Sequence, residues 1–109
     1  MDRETRALGP KQGSGVGTNA GVTVTITGAA GEKLSCTGIE CSGDAAALVT
    51  VESPASTVIY RKRYAAAFQM SEDWEENELN GAAGADLLVK ISASTANCEA
   101  TIQALRLPA

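Results

Sequence analysis

The chain has few residues that could carry out catalysis or hold a metal. It contains no histidine among its 109 residues, so the commonest general base and the commonest metal ligand are both absent. Cys36, Cys41 and Cys98 are the soft ligands that remain, and the Cys-x4-Cys spacing of the first two differs from the Cys-x2-Cys spacing of zinc sites. We therefore expect no enzyme active site, no metal and no cofactor, and three reduced thiols of which Cys36 and Cys98 face inward.

The most conspicuous cluster of charged residues is the run SEDWEENEL at residues 71–79, where five carboxylates surround the only tryptophan, Trp74. A calcium-binding EF-hand loop requires acidic residues at alternate positions and a glycine in mid-loop, and this run has neither. The run is more typical of a solvated or partner-facing acidic loop anchored by Trp74. Cation binding stays open as the alternative.

Basic residues form one short cluster, Arg61-Lys62-Arg63. The chain has a net charge of −4, and phosphate backbones require a broader basic surface. We therefore expect no nucleic-acid partner, and we interpret the cluster as a strand end that faces solvent or another protein. The chain also lacks the run of about 20 apolar residues that a membrane span needs, and its first residues are too charged for a signal peptide.

Apolar and polar residues alternate with the period of two that is typical of half-buried β-strands. Gly38 falls where the inward-facing set changes phase, which indicates a β-bulge. Residues 64–79 also contain good helix formers, so a helical turn around residues 71–77 is an allowed irregularity. The predicted strands cover residues 22–27, 33–42, 45–52, 57–63, 65–70, 85–94 and 98–107. The segments 57–63 and 65–70 are either two strands or one long bent strand.

The chain divides into two parts by composition. Residues 1–21 are rich in glycine and poor in large apolar residues, which predicts an extended, flexible N-terminal arm that becomes ordered only on a partner surface. Residues 22–109 form the expected β-sandwich domain. Its core is expected to be rich in alanine, and the chain contains only four aromatic residues. Such a core buries little apolar area, so we expect the domain to gain stability by forming an oligomer.

Several short sequence segments follow one another in an order that resembles that of the small jelly-roll structural proteins of tailed bacteriophages. They are the sequence Ala30-Gly31-Glu32-Lys33-Leu34, the basic strand at 61–63, the loop around Trp74, the sequence GADLLVKIS at 84–92 and a closing strand. The resemblance covers residues 22–107. It implies capsid decoration or cement proteins, commonly trimeric, and it implies no catalytic residues. The strongly acidic loop departs from that pattern.

The expected protein is therefore an all-β, jelly-roll-like antiparallel sandwich that decorates a capsid surface after assembly in the host cytoplasm. Its expected partners are the major capsid protein and further copies of itself, as a homotrimer. A head-fibre, tail-fibre, receptor-binding or carbohydrate-binding sandwich is the alternative. The candidate contact residues are Arg61, Lys62, Arg63, Glu72, Asp73, Trp74, Glu75, Glu76, Glu78, Arg3, Arg6 and Lys11.

Overall fold

The computed structural model describes residues 8–18, 20–74, 79–92 and 97–109. These residues form nine β-strands and no helix. Within these ranges there is accordingly no helix long and apolar enough to cross a membrane. The strands are β1 (Gly9–Gly17), β2 (Val22–Ile26), β3 (Glu32–Gly43), β4 (Ala47–Glu52), β5 (Val58–Tyr64), β6 (Phe68–Asp73), β7 (Leu79–Asn80), β8 (Leu87–Ile91) and β9 (Cys98–Pro108).

The strands form two antiparallel sheets that pack against each other. Sheet A has the order β1-β9-β3-β6, with the short β7 also paired to β3, and sheet B has the order β2-β8-β4-β5. The pairs β1–β9, β2–β8, β3–β6 and β4–β5 are nested, as if one long hairpin had been rolled into two layers. This is the topology of a jelly roll, and it confirms the predicted fold class.

Strand β2 shows why the period-two pattern located the core. Val24 and Ile26 are buried and Val22 packs against them, whereas Thr23 and Thr25 are exposed. The same alternation buries every second residue of β9 from Cys98 to Ala104, and the predicted face of β4, Ala47, Val49 and Val51, lies in the core. The predicted inward faces of these strands are therefore confirmed.

Strand β3 contains the predicted bulge. Its pairing with β9 shifts register between Cys36 and Gly38. Leu34 and Cys36 face the core before the shift, and Ile39 and Cys41 face it afterwards. One extra residue moves the apolar set onto the same face of the sheet again, which is the function of a bulge.

The helical turn considered at residues 71–77 does not form in its described part. Residues 71–73 complete β6, where they pair with residues 38–40 of β3. Hydrogen bonding across the sheet overrides the local helix preference of this segment. Residues 75–78 lie outside the described residues.

The predicted N-terminal arm is wrong for residues 9–17, and the domain boundary at residue 21 is wrong with it. These residues form β1, which pairs with β9 along its whole length. Gly13, Gly15 and Gly17 alternate on its inner face, and a Cβ at Gly13 would lie 2.9 Å from Cγ1 of Val24. The glycines let β1 approach β2 closely at this side of the sandwich. Residues 1–7 of the predicted arm lie outside the described residues.

The sequence Gly-Ala-Ala-Gly occurs twice, at residues 28–31 and 81–84, and the two segments form adjacent turns. Gly31 and Gly84 both have positive φ, at 80° and 72°, a conformation that glycine adopts without steric cost. The two turns contact each other through a backbone hydrogen bond of 2.7 Å from the amide of Gly84 to the carbonyl of Glu32. They therefore close one end of the sandwich together.

Candidate protein-binding edge

Strands β5 and β6 end their respective sheets on the same side of the sandwich. Among the described residues, β5 pairs only with β4 and β6 pairs only with β3. A three-residue link, residues 65–67, carries the chain from one sheet to the other. No other described strand pairs with the outer edge of β5 or of β6, so the described part of the sandwich is open at this side.

Aromatic side chains fill the gap between the two strands. Tyr60 contacts Trp74 edge-to-face, with ring centroids 4.9 Å apart and an interplanar angle of 68°. Tyr64 stacks on Phe68 at 4.3 Å and 7°. These four residues are all the aromatic residues in the chain, and each one is half-buried. Trp74 is held in place by a 2.8 Å hydrogen bond from its amide to the carbonyl of Thr37.

Two charged side chains lie among the aromatic rings. Lys62 pairs with Val49, whose side chain is in the core, so it lies on the inner face of β5. Glu72 pairs with the buried Ile39 and lies on the inner face of β6. The ammonium group of Lys62 is 6.0 Å from the ring centroid of Tyr64, at the outer limit of a cation–π contact.

This environment raises the pKa values of the two tyrosine phenol groups. Burial raises the pKa of Tyr60 above the usual tyrosine value, and the negative charge of Glu72 raises it further. Burial and then Glu72 raise the pKa of Tyr64 in the same way. Glu72 is therefore electrostatically coupled to both tyrosines. We call the surface formed by Tyr60, Lys62, Tyr64, Phe68, Glu72 and Trp74 the aromatic edge.

The basic cluster of the sequence is divided between two surfaces. Lys62 belongs to the aromatic edge, whereas Arg61 and Arg63 pair with Thr50 and Leu48 on the opposite face of sheet B. All three basic side chains are exposed. A β-strand alternates its side chains, so three consecutive cations cannot form one patch.

The fold places most of the described candidate contact residues at one side of the sandwich and one of them, Lys11, at the other side. Residues 61–63 and 72–74 meet where β5 and β6 end the two sheets. Asp73 lies on the outer face of sheet A, next to the aromatic edge. Lys11 is on β1, at the other side of the sandwich, where its ammonium group donates a 3.2 Å hydrogen bond to the carbonyl of Thr27. Candidates outside the described residues are Glu75, Glu76, Glu78, Arg3 and Arg6.

Sequence reasoning missed Tyr60, Tyr64 and Phe68 as members of this surface. A signal was present, because all four aromatic residues fall between positions 60 and 74. Such clustering in a chain otherwise rich in alanine indicates a local surface rather than a distributed core.

The thiols belong to the core. Cys36, Cys41 and Cys98 are free and buried, as predicted. Burial raises the pKa of both Cys36 and Cys41 to about 12, so these two groups remain protonated near neutral pH.

Within the described part of the chain, no group of three or more potential ligands is placed to hold a metal ion.

An open groove of about 490 Å³ crosses the outer face of sheet A. Its lining is polar and, among the described residues, includes no aromatic ring on which a sugar could stack. The aromatic edge and this groove are thus separate surfaces with different chemistry. The groove is lined mainly by Glu40, Ser42, Gln69, Ser71, Glu99 and Thr101.

No known protein family matches this chain, and no curated protein matches its sequence.

Proposed function

We propose that this protein is a structural, non-catalytic module that binds other protein chains through its aromatic edge. The observation that carries the proposal is the placement of all four aromatic residues at that edge, half-exposed and interleaved with Lys62 and Glu72. Aromatic residues are enriched in protein interfaces and supply much of their binding energy. Val58, at the start of β5, adds an exposed apolar side chain.

The backbone at the aromatic edge offers a second kind of contact. The outer edges of β5 and β6, the last strands of the two described sheets, carry amide and carbonyl groups that can pair with a strand of a partner. Lys62 lies on β5, the strand whose edge would be extended, and favours a partner with acidic residues. Edge pairing and aromatic contacts would act together, because they lie on the same two strands.

We propose further that the partner is a capsid shell, and that the protein acts as a decoration or cement protein of a tailed bacteriophage. This setting rests on the resemblance of residues 22–107, and the jelly-roll topology supports it because that is the fold the resemblance implies. The major capsid protein would be the main partner, and binding would stabilise contacts between shell subunits by mass action.

Co-sedimentation with undecorated shells of the encoding phage tests the proposal. Tyr64→Leu retains apolar volume but removes the ring, and Lys62→Glu reverses one charge, so both variants should lower shell occupancy by about tenfold or more if the edge is a binding hot spot. Val16→Ala is the matched control, because Val16 is exposed at the opposite side of sheet A. Thermal unfolding of each variant separates lost binding from lost folding.

Two results would reject the proposal in different ways. Full occupancy with the edge variants would show that another surface binds the shell. Failure of the unmodified protein to bind shells would remove the decoration role. In the latter case, binding to a glycan array would favour the alternative of a receptor-binding or carbohydrate-binding module.

A further inference from the structure

The outer face of sheet A is acidic. Asp73, Glu40 and Glu99 are exposed on β6, β3 and β9. The register places Asp73 opposite Gly38 and Glu99 opposite Ser42, so the two acids flank Glu40 diagonally, one on each side. Diagonal neighbours of this kind are about 7–8 Å apart. The three carboxylates therefore form a line across three strands, and we call this surface the acidic face.

The outward residues nearest to this line of carboxylates are uncharged. The outward residues of the described strands around the three carboxylates include no lysine or arginine. The groove of about 490 Å³ lies in this surface, so the acidic face is concave. The uncharged outward residues around the carboxylates include Gln12, Ser14, Ser42, Gln69, Ser71, Thr101 and Gln103.

The outer face of sheet B is basic. Thr50 pairs with Arg61 on one side and with Lys90 on the other, so the two cations flank it in one row across the sheet. Arg63 lies two residues further along β5 and points to the same side. All three cations are exposed. We call the surface formed by Arg61, Arg63 and Lys90 the basic face.

The one carboxylate on the outward side of these three strands is withdrawn from solvent. Glu52 is only 7% exposed. Its side chain accepts a 2.7 Å hydrogen bond from the amide of Ser56 and a 3.1 Å hydrogen bond from the hydroxyl of Thr50. Glu52 therefore fastens the loop after β4, and the charge that the basic face presents to solvent is positive.

From these two faces we infer that copies of this chain associate front to back, with the acidic face of one copy seated on the basic face of the next. The occupant is a second copy because one molecule carries both complementary surfaces. Long arginine and lysine side chains project from the basic face, and the concave acidic face offers them space and carboxylate partners. Head-to-tail contacts of this kind are heterologous.

The position of the two faces determines the form of the assembly. The outer faces of a two-layer sandwich point in opposite directions, so each added copy extends the stack instead of closing a ring. This contact differs from the homotrimer that the resemblance implies. The inference depends neither on the aromatic edge nor on the proposed capsid role.

Sedimentation velocity with charge-reversal variants tests the inference. The unmodified protein should show concentration-dependent association at low ionic strength, which should disappear in 1 M salt because screening then acts over about 3 Å. The double variant Glu40→Lys/Glu99→Lys has two basic faces, and Arg61→Glu/Arg63→Glu has two acidic faces. Each should self-associate about tenfold more weakly than the unmodified protein, and an equal mixture of the two should recover association.

Lys62→Glu is the matched control, because it makes the same change of charge on the same strand but on the aromatic edge. It should leave front-to-back association unchanged, although it weakens shell binding under the proposed function. If a double reversal does not fold, Glu40→Gln and Arg61→Gln test the same contact and should weaken association in the same direction.

Three outcomes would overturn the inference. They are a monomer at every concentration and salt, a closed trimer that the reversals do not affect, and a failure of the mixed variants to associate. Recovery in the mixture is decisive because a general electrostatic effect on solubility would not depend on combining the two variants.

Discussion

A Cβ atom on Gly17 would lie 2.5 Å from the carbonyl oxygen of Ala20. The backbone of residues 20 and 21 passes directly over this glycine, where the chain turns from sheet A to sheet B. Gly17 is therefore needed because there is no space for a side chain at the end of β1.

Replacing Gly17 with alanine should destabilise the protein by about 1–3 kcal/mol, since the atoms that the new methyl group meets are backbone atoms that cannot move aside cheaply. Denaturant unfolding measures the change. Val16→Ala is the neighbouring control; its side chain is 67% exposed, and its effect should stay within about 0.5 kcal/mol. Equal effects of the two variants would show that β1 does not pack closely against the turn.

Deleting residues 2–20 should destabilise the fold. The deletion removes β1, which leaves one edge of β9 unpaired and uncovers Val24. Deleting residues 2–7 is the control because it retains all of β1. Circular dichroism during heating should show a lower midpoint for the longer deletion than for the shorter one. Equal midpoints would mean that β1 contributes nothing to stability.

The three thiols should react slowly with a thiol reagent under native conditions, because Cys36, Cys41 and Cys98 are each at most 3% exposed. Val16→Cys supplies an exposed reference thiol in the same protein. The reference should be labelled at least about a hundredfold faster, and denaturant should abolish the difference. Rapid labelling of the native thiols would contradict the register of β3 and β9.

Stability should fall as the pH rises above 9. The pKa of Cys36 and of Cys41 is about 12 in the folded protein against 9.0 for a free thiol. Between these values the unfolded chain binds fewer protons than the folded chain, so the free energy of unfolding decreases with pH. Tyr60 and Tyr64 act in the same direction, because their pKa values are also raised.

Denaturant unfolding at pH 8, 10 and 11 measures this slope. In Cys36→Ala the loss of stability with pH should be shallower by up to about 1.4 kcal/mol per pH unit, the full contribution of one proton. A slope that is the same in Cys36→Ala and in the unmodified protein would show that this thiol is not shielded from ionisation.

Ser53 joins the loop after β4 to the link between β7 and β8, and its loss should be costly. Its hydroxyl donates a 2.7 Å hydrogen bond to the carbonyl of Asp86 and accepts a 3.2 Å hydrogen bond from the amide of Ala82. Ser53→Ala leaves both backbone groups without this partner and should cost about 1–3 kcal/mol. Ser14→Ala, on the exposed side of β1, is the control for chemical unfolding and should be nearly neutral.

The inward faces of most strands could be predicted because they depend on short-range order. Alternation at Val22, Val24 and Ile26 determines which side of β2 is apolar, whatever strand lies beside it. The bulge was also visible, since Gly38 coincides with the change of phase between Cys36 and Ile39. Among the residues of the aromatic edge and the basic cluster, the sequence identified 61–63 and 72–74 as contact candidates.

What the sequence by itself determined is the all-β class, the apolar faces and the thiol environment, because each depends on residues one or two positions apart. The tertiary structure decided which strands meet. Glycines at alternate positions in residues 9–17 are typical of a flexible segment until β2 is placed against them, where a side chain would collide. Tyr60 and Trp74 likewise become one surface only because β5 and β6 end two different sheets on the same side, and no local pattern encodes that pairing.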